Sequence, residues 1–134
     1  MKFALLTFLT SVIAFAHGED MAGPHGGHIQ MPASFHTEVV AKGDQIFHIY
    51  LTDMEFKNPT IKKSELKVTH SEGGKKVELK CRTRKDHFIC QGPQKMNSGT
   101  LSIQASRDGV VATSLADYTL PLKPYKTDDH SAHH

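Results

Sequence analysis

Beyond residue 34 the chain alternates apolar and polar side chains in short runs, the two-residue period of strands that bury one face. Phe35 to Ala41 and Ile46 to Asp53 are two such runs, separated by the turn signal Lys42-Gly43-Asp44. Ser64 to His70 and Lys76 to Arg82 flank Ser71-Glu72-Gly73-Gly74-Lys75, and Asp86 to Gln91 follows a polar turn at Arg84-Lys85. Thr100 to Ser106 and Val110 to Tyr118 flank Arg107-Asp108-Gly109. No window sustains a helical period. The pattern predicts an all-β domain over residues 34–123, an antiparallel immunoglobulin-like β-sandwich of about seven strands.

Two hairpins have registers that can be checked against side-chain type. With a three-residue first loop, Ala41 faces Gln45, Val39 faces Phe47 and Thr37 faces Ile49, one apolar face completed by Phe35 and Leu51. The other face then sets His36, Glu38 and Val40 against Tyr50, His48 and Ile46. In the later hairpin, Arg84 opposite His87 sets Cys81 against Cys90, on a face shared with Val77, Leu79 and Phe88. Directly opposed strand residues lie about 4.5–5.5 Å apart at Cα, within disulfide range. A disulfide is also the expected state of two Cys in an exported chain. The competing arrangement, a thiolate metal site, has no Cys-x-x-Cys spacing behind it.

Residues 1–16 read as a secretory signal peptide: Lys2 supplies the positive start, Phe3 to Phe15 a mostly apolar stretch, and Ala14 and Ala16 the small residues before a cut. The apolar stretch falls short of the roughly 20 residues that span a bilayer. A cut after Ala14 also satisfies the small-residue rule. Cleavage after Ala16 leaves 118 of the 134 residues, enough for one domain, and the formal charge of +2 falls by one with Lys2. So small a charge gives no case for nucleic acid or an anionic membrane. A soluble periplasmic or secreted monomer is expected, with no membrane association after cleavage.

Histidine changes the picture. Ten occur in the chain, three of them in the leader at residues 17–33, which lacks a hydrophobic period and reads as flexible. Cleavage after Ala16 would make His17 the first residue, so that its amine and imidazole could grip one ion together. His25 and His28 follow, with Met21 and Met31 between and beyond them. Imidazole suits copper, zinc and nickel, whereas thioether prefers Cu(I), so the mixture points to copper. On the first hairpin, His36, Glu38 and His48 share one face, where a carboxylate beside an imidazole orients it. His17, His25, His28, His36, Glu38 and His48 are the expected ligand set. His70 and His87 lie near turns and read as surface residues. The tail, residues 124–134, reads as disordered and Asp/His-rich. No Gly-x-Ser-x-Gly, His-Glu-x-x-His or phosphate-cradling loop occurs, so no enzyme signature is visible.

Gly23-Pro24-His25-Gly26-Gly27, then Phe35-His36-Thr37-Glu38-Val39-Val40 and Ile49-Tyr50-Leu51-Thr52-Asp53, resemble a pattern of small exported proteins and periplasmic segments of heavy-metal efflux adaptors. That resemblance covers residues 23–53 and implies a bacterial periplasmic β-domain linked to copper or other heavy-metal resistance. Carried over, it singles out His25, His36 and Glu38. The Cys pair and the Asp/His tail lie outside it. An N-terminal His also resembles copper-resistance sandwich proteins, whose full ligand set is not recognisable here. The sequence therefore leads to an exported metal-binding protein, a buffer, carrier or donor to a heavy-metal efflux system. The rival expectation is a protein-interaction β-domain without metal, and an oxidative enzyme using an N-terminal His brace stands behind both.

Overall fold

The structure is a computed structural model and describes residues 21–125. The expected signal peptide, His17 and most of the tail lie outside those residues. Ten strands occur among the described residues: β1 (His28–Gln30), β2 (His36–Ala41), β3 (Ile46–Thr52), β4 (Glu65–Glu72), β5 (Lys75–Glu78), β6 (Lys80–Thr83), β7 (Phe88–Gln91), β8 (Thr100–Arg107), β9 (Val110–Val111) and β10 (Ala116–Thr119). They form an all-β sandwich of two antiparallel sheets. The first has the order β1-β2-β3-β7-β6 and the second β10-β8-β4-β5, with β9 pairing the end of β8.

The expected alternation builds the core. Val39, Phe47, Ile49, Leu51, Phe88 and Cys90 point inward from the first sheet and meet Val68, Leu101, Ile103, Ala105, Ala116 and Tyr118 from the second. Burying each large aliphatic or aromatic side chain contributes about 1.5–3 kcal/mol, so these positions dominate the stability. A buried polar link joins the two sheets: the Tyr118 hydroxyl donates to the Thr37 carbonyl at 3.0 Å and lies 2.6 Å from its Oγ1. Burial holds the Tyr118 phenol in its neutral form well above its ordinary range.

Two turns follow their glycines. Gly73-Gly74 and Asp108-Gly109 each place two consecutive residues at positive φ, which suits the two-residue connections of β4–β5 and β8–β9. The Cys81–Cys90 register is as expected: the two residues face each other on β6 and β7 and are joined by a disulfide, with Cα atoms 4.0 Å apart.

Four expectations are corrected. The first hairpin pairs Val39 with Ile49 and Thr37 with Leu51, because its three-residue loop is Gly43–Gln45 rather than Lys42–Asp44. Backbone groups of Asp44 and Gln45 are taken by Met96 and Gly92, which removes them from the ladder. Every side chain keeps its face, but Glu38 now opposes Tyr50 and His48 opposes Val40. Lys76 to Arg82 is not one strand. It breaks at buried Leu79, whose N–H donates to Val68 O at 2.9 Å, and crosses from the second sheet to the first. Val110 to Tyr118 breaks between β9 and β10. Last, His28–Gln30 of the expected flexible leader is a strand on the edge of β2.

The disulfide closes a short loop between neighbouring strands that other hydrogen bonds already pair. Replacing both Cys81 and Cys90 by Ala is expected to lower the unfolding free energy by about 2–3 kcal/mol, with β-sheet circular dichroism retained. Urea titration of the double variant checks this; an unchanged midpoint and slope would count against it.

Candidate functional site

The outer face of the first sheet is where the polar chemistry collects. Glu38 alternates with core residues on β2 and therefore points outward, yet it is only 1% exposed. The leader folds over it. Gly23 to Gly27 forms a tight turn, with Gly26 N–H donating to Gly23 O at 2.9 Å and Gly23 N–H to Gly27 O at 2.8 Å. The His25 and Gly27 N–H groups donate to Glu38 Oε2 at 2.8 and 2.9 Å, and His25 Nδ1 lies 2.7 Å from Oε1. Burying a carboxylate without such donors would be costly; bonds to a charged acceptor are the strong class.

This geometry explains the glycines. A Cβ on Gly23 would overlap the Glu38 carboxyl, and one on Gly27 would sit 2.6 Å from the Val39 carbonyl oxygen. Gly26 has φ of 77°, a region L side chains avoid. Gly-Pro-His-Gly-Gly is thus a carboxylate clamp, and its His25 is delivered to a fixed position.

That position begins a row of rings. The His25 ring lies on Tyr50 with centroids 3.6 Å apart and planes 7° from parallel. Tyr50 stacks on its other side against His87 at 4.5 Å. His87 stands 5.0 Å from the His48 ring, with His87 Nε2 3.2 Å from His48 Nδ1. Asp86 Oδ1 lies 2.8 Å from His87 Nδ1. An ionised carboxylate only accepts, so Nδ1 of His25 and of His87 carries the proton and each Nε2 keeps a lone pair. In neutral rings, His48 Nδ1–H then donates to His87 Nε2. Burial, reinforced by His87 and the nearby cations Lys42, Arg84 and Arg82, holds the His48 imidazole below its ordinary pKa. Burial also raises the Tyr50 phenol, with the negative charges of Asp86 and Glu38 adding to the effect.

The expected ligands are distributed as follows. His25 and Glu38 meet, and His48 meets His87 instead of Glu38. His28 turns to the other side of β1, where Nε2 lies 2.7 Å from Lys123 O and Nδ1 3.2 Å from the Tyr125 hydroxyl. His36 stacks on Phe56 at 4.0 Å and donates from Nδ1 to Asp53 O at 2.9 Å. The Asp53 carboxylate accepts from Lys57 N–H, the Asn58 amide and Glu55 N–H, which hold it below its ordinary pKa and fix that loop. Among the described residues no group of three or more His, Cys, Asp or Glu is arranged to hold an ion. His87, Asp86 and Tyr50 were not anticipated as site residues. The adjacent Asp86-His87 dipeptide was the available signal, but pairing it with His48 requires β3 and β7 to be neighbours.

No protein-family model, curated protein or solved structure matches this chain.

Two outcomes follow from the clamp and the row. Gly27→Ala is expected to undock residues 21–27 and to cost about 1–3 kcal/mol, the scale of a forced overpacking; faster amide exchange at Gly27 and easier proteolysis in the leader would register it, and unchanged protection would refute the clamp. For His48, the folded-state pKa lies below the ordinary 6.5, so the unfolded chain binds the proton more readily. The stabilising contribution is complete above 6.5 and is lost as pH falls through the folded value. An NMR titration should place His48 below an unfolded-peptide reference; a midpoint at or above the reference contradicts the arrangement.

Proposed function

We propose that this chain is an exported metal-binding protein that takes copper or a similar heavy-metal ion, as a buffer, carrier or donor to an efflux system. The observation that carries the reading is the pair of carboxylate-oriented imidazoles, His25 on Glu38 and His87 on Asp86, either side of Tyr50 with His48 alongside. A carboxylate on the far nitrogen is the usual second partner of a metal-ligating His, because it fixes the tautomer and raises the basicity of the free nitrogen. A lowered pKa on His48 keeps its lone pair available as pH falls, and a ligand must be unprotonated to bind. The candidate ligands of this proposal among the described residues are therefore His25, His48 and His87, which do not converge on a single point. Export is supported by the Cys81–Cys90 disulfide, a bond that persists in oxidising compartments.

A second reading, a protein-interaction β-domain, is favoured by one feature: Val110, Val111 and Leu115 are exposed at one end of the second sheet. Metal content separates the two.

The experiment is expression with residues 1–16 intact, purification without a tag, then N-terminal sequencing and copper titration of the same sample. The product should begin His-Gly-Glu and bind copper at neutral pH. Replacing His25, His48 and His87 together by Ala should weaken binding at least about 10-fold, the lower end of the loss seen when metal-supporting groups are removed. Removing residues 128–134 should matter far less. Equal losses from the two changes would mean unspecific His capture, and a protein that binds no metal would leave the interaction reading.

A further inference from the structure

Within the imidazole row, one contact stands apart. His48 Nδ1 and His87 Nε2 lie 3.2 Å apart, within hydrogen-bonding distance. The two residues are 39 positions apart in sequence and belong to different hairpins. Asp86 fixes the tautomer of one ring, and Tyr50 stacks on that same ring at 4.5 Å.

We infer that His48 and His87 form a two-coordinate site selective for monovalent copper, which enters between His48 Nδ1 and His87 Nε2. The inference rests on the metal-binding reading above and narrows it to one oxidation state and one ligand pair. The bookkeeping of protons closes without a leaving group: the Nδ1 proton of His48 moves through solvent to its own Nε2, both rings stay neutral, and each offers a lone pair to the ion. The spacing is near what is needed. Two metal–nitrogen bonds of about 2 Å each require nitrogens about 4 Å apart, so the rings need to separate by less than about 1 Å. On β3, His48 sits in a paired strand, and His87 directly precedes β7, so the separation is met by side-chain rotation rather than by moving the sheet.

Selectivity follows from what surrounds the pair. Divalent zinc and its neighbours want four or more ligands, and no third His, Cys, Asp or Glu joins these two among the described residues. A closed-shell monovalent ion is satisfied by two nitrogens in line. Lys42, Arg82 and Arg84 lie close enough to act on His48 electrostatically, and their repulsion on a doubly charged ion is twice that on a singly charged one. Asp86 Oδ1 contacts His87 of the pair and offsets part of that field. His87 is thereby a ligand and Asp86 a positioning residue.

The test is an oxygen-free titration of the mature chain with Cu(I) against a chromophoric chelator, repeated with Zn(II), and X-ray absorption on the Cu(I) form. One Cu(I) should bind in a two-coordinate nitrogen environment, with Zn(II) bound at least about 100-fold more weakly. His48→Ala and His87→Ala should each remove that site, whereas replacing the three tail histidines by Ala leaves it in place. Asp86→Asn should weaken it about 10- to 100-fold, the range for loss of a carboxylate behind a ligating imidazole, and Asp86→Glu should recover most of the loss. Circular dichroism and the intact disulfide control for folding. If the wild type binds copper but His25→Ala costs as much as His48→Ala or His87→Ala, or if absorption gives three or four ligands, the pair is overturned while the metal-binding reading stands. If the wild type binds no ion, the broader reading falls and the pair with it.

Discussion

The burial of the Glu38 carboxylate is the constraint on which the outer face depends. Alternation on β2 sends this side chain away from the core, where an isolated carboxylate would stay in water. Instead three donors from Gly23–Gly27 close over it. Removing a charge from solvent is tolerable only when its lone pairs are taken up, so the carboxylate and the glycine turn each need the other. The leader is held against the sheet by that requirement, and β1 continues it as an edge strand along β2. A segment with no hydrophobic period thus acquires a fixed place from its hydrogen bonds to Glu38 and from the β1–β2 ladder.

The docking has a chemical consequence. It lays His25 flat on Tyr50, and Tyr50 in turn fills the space up to His87 and His48. The rings stack in a row, and two of the four are also tied to carboxylates. The result is a set of ordered imidazoles, with the His48 pKa lowered by burial first and then by His87 and the nearby Lys42, Arg84 and Arg82. Such preorganisation favours ligand binding because less ordering remains to be done when the ligand arrives.

The core supports this face in a different way. Leu79 is the point where the chain passes from one sheet to the other, and its burial joins the layers beside the β6–β7 hairpin. The Cys81–Cys90 bond then fixes that hairpin at the free edge of the first sheet. Because β7 lies between β6 and β3, the same hairpin delivers Asp86 and His87 to the side of His48.

What the sequence determined by itself is local. The two-residue period assigned Val39, Ile49, Leu51 and Phe88 to the core and Glu38 and His48 to the opposite face. It did so correctly even though the hairpin is shifted by one residue on each strand, because such a shift preserves parity. Opposed thiols and glycine turns were legible for the same reason: pleat sterics and turn dihedrals act over a few residues. Tertiary structure alone decided that β3 and β7 are neighbours, that Lys76 to Arg82 divides between two sheets, and that the leader clasps Glu38. Those choices are set by loop closure, layer packing and the satisfaction of buried polar groups across distant parts of the chain. None of these leaves a periodic mark on the residues concerned, so His87 read as one more surface histidine until the strand order brought it to His48.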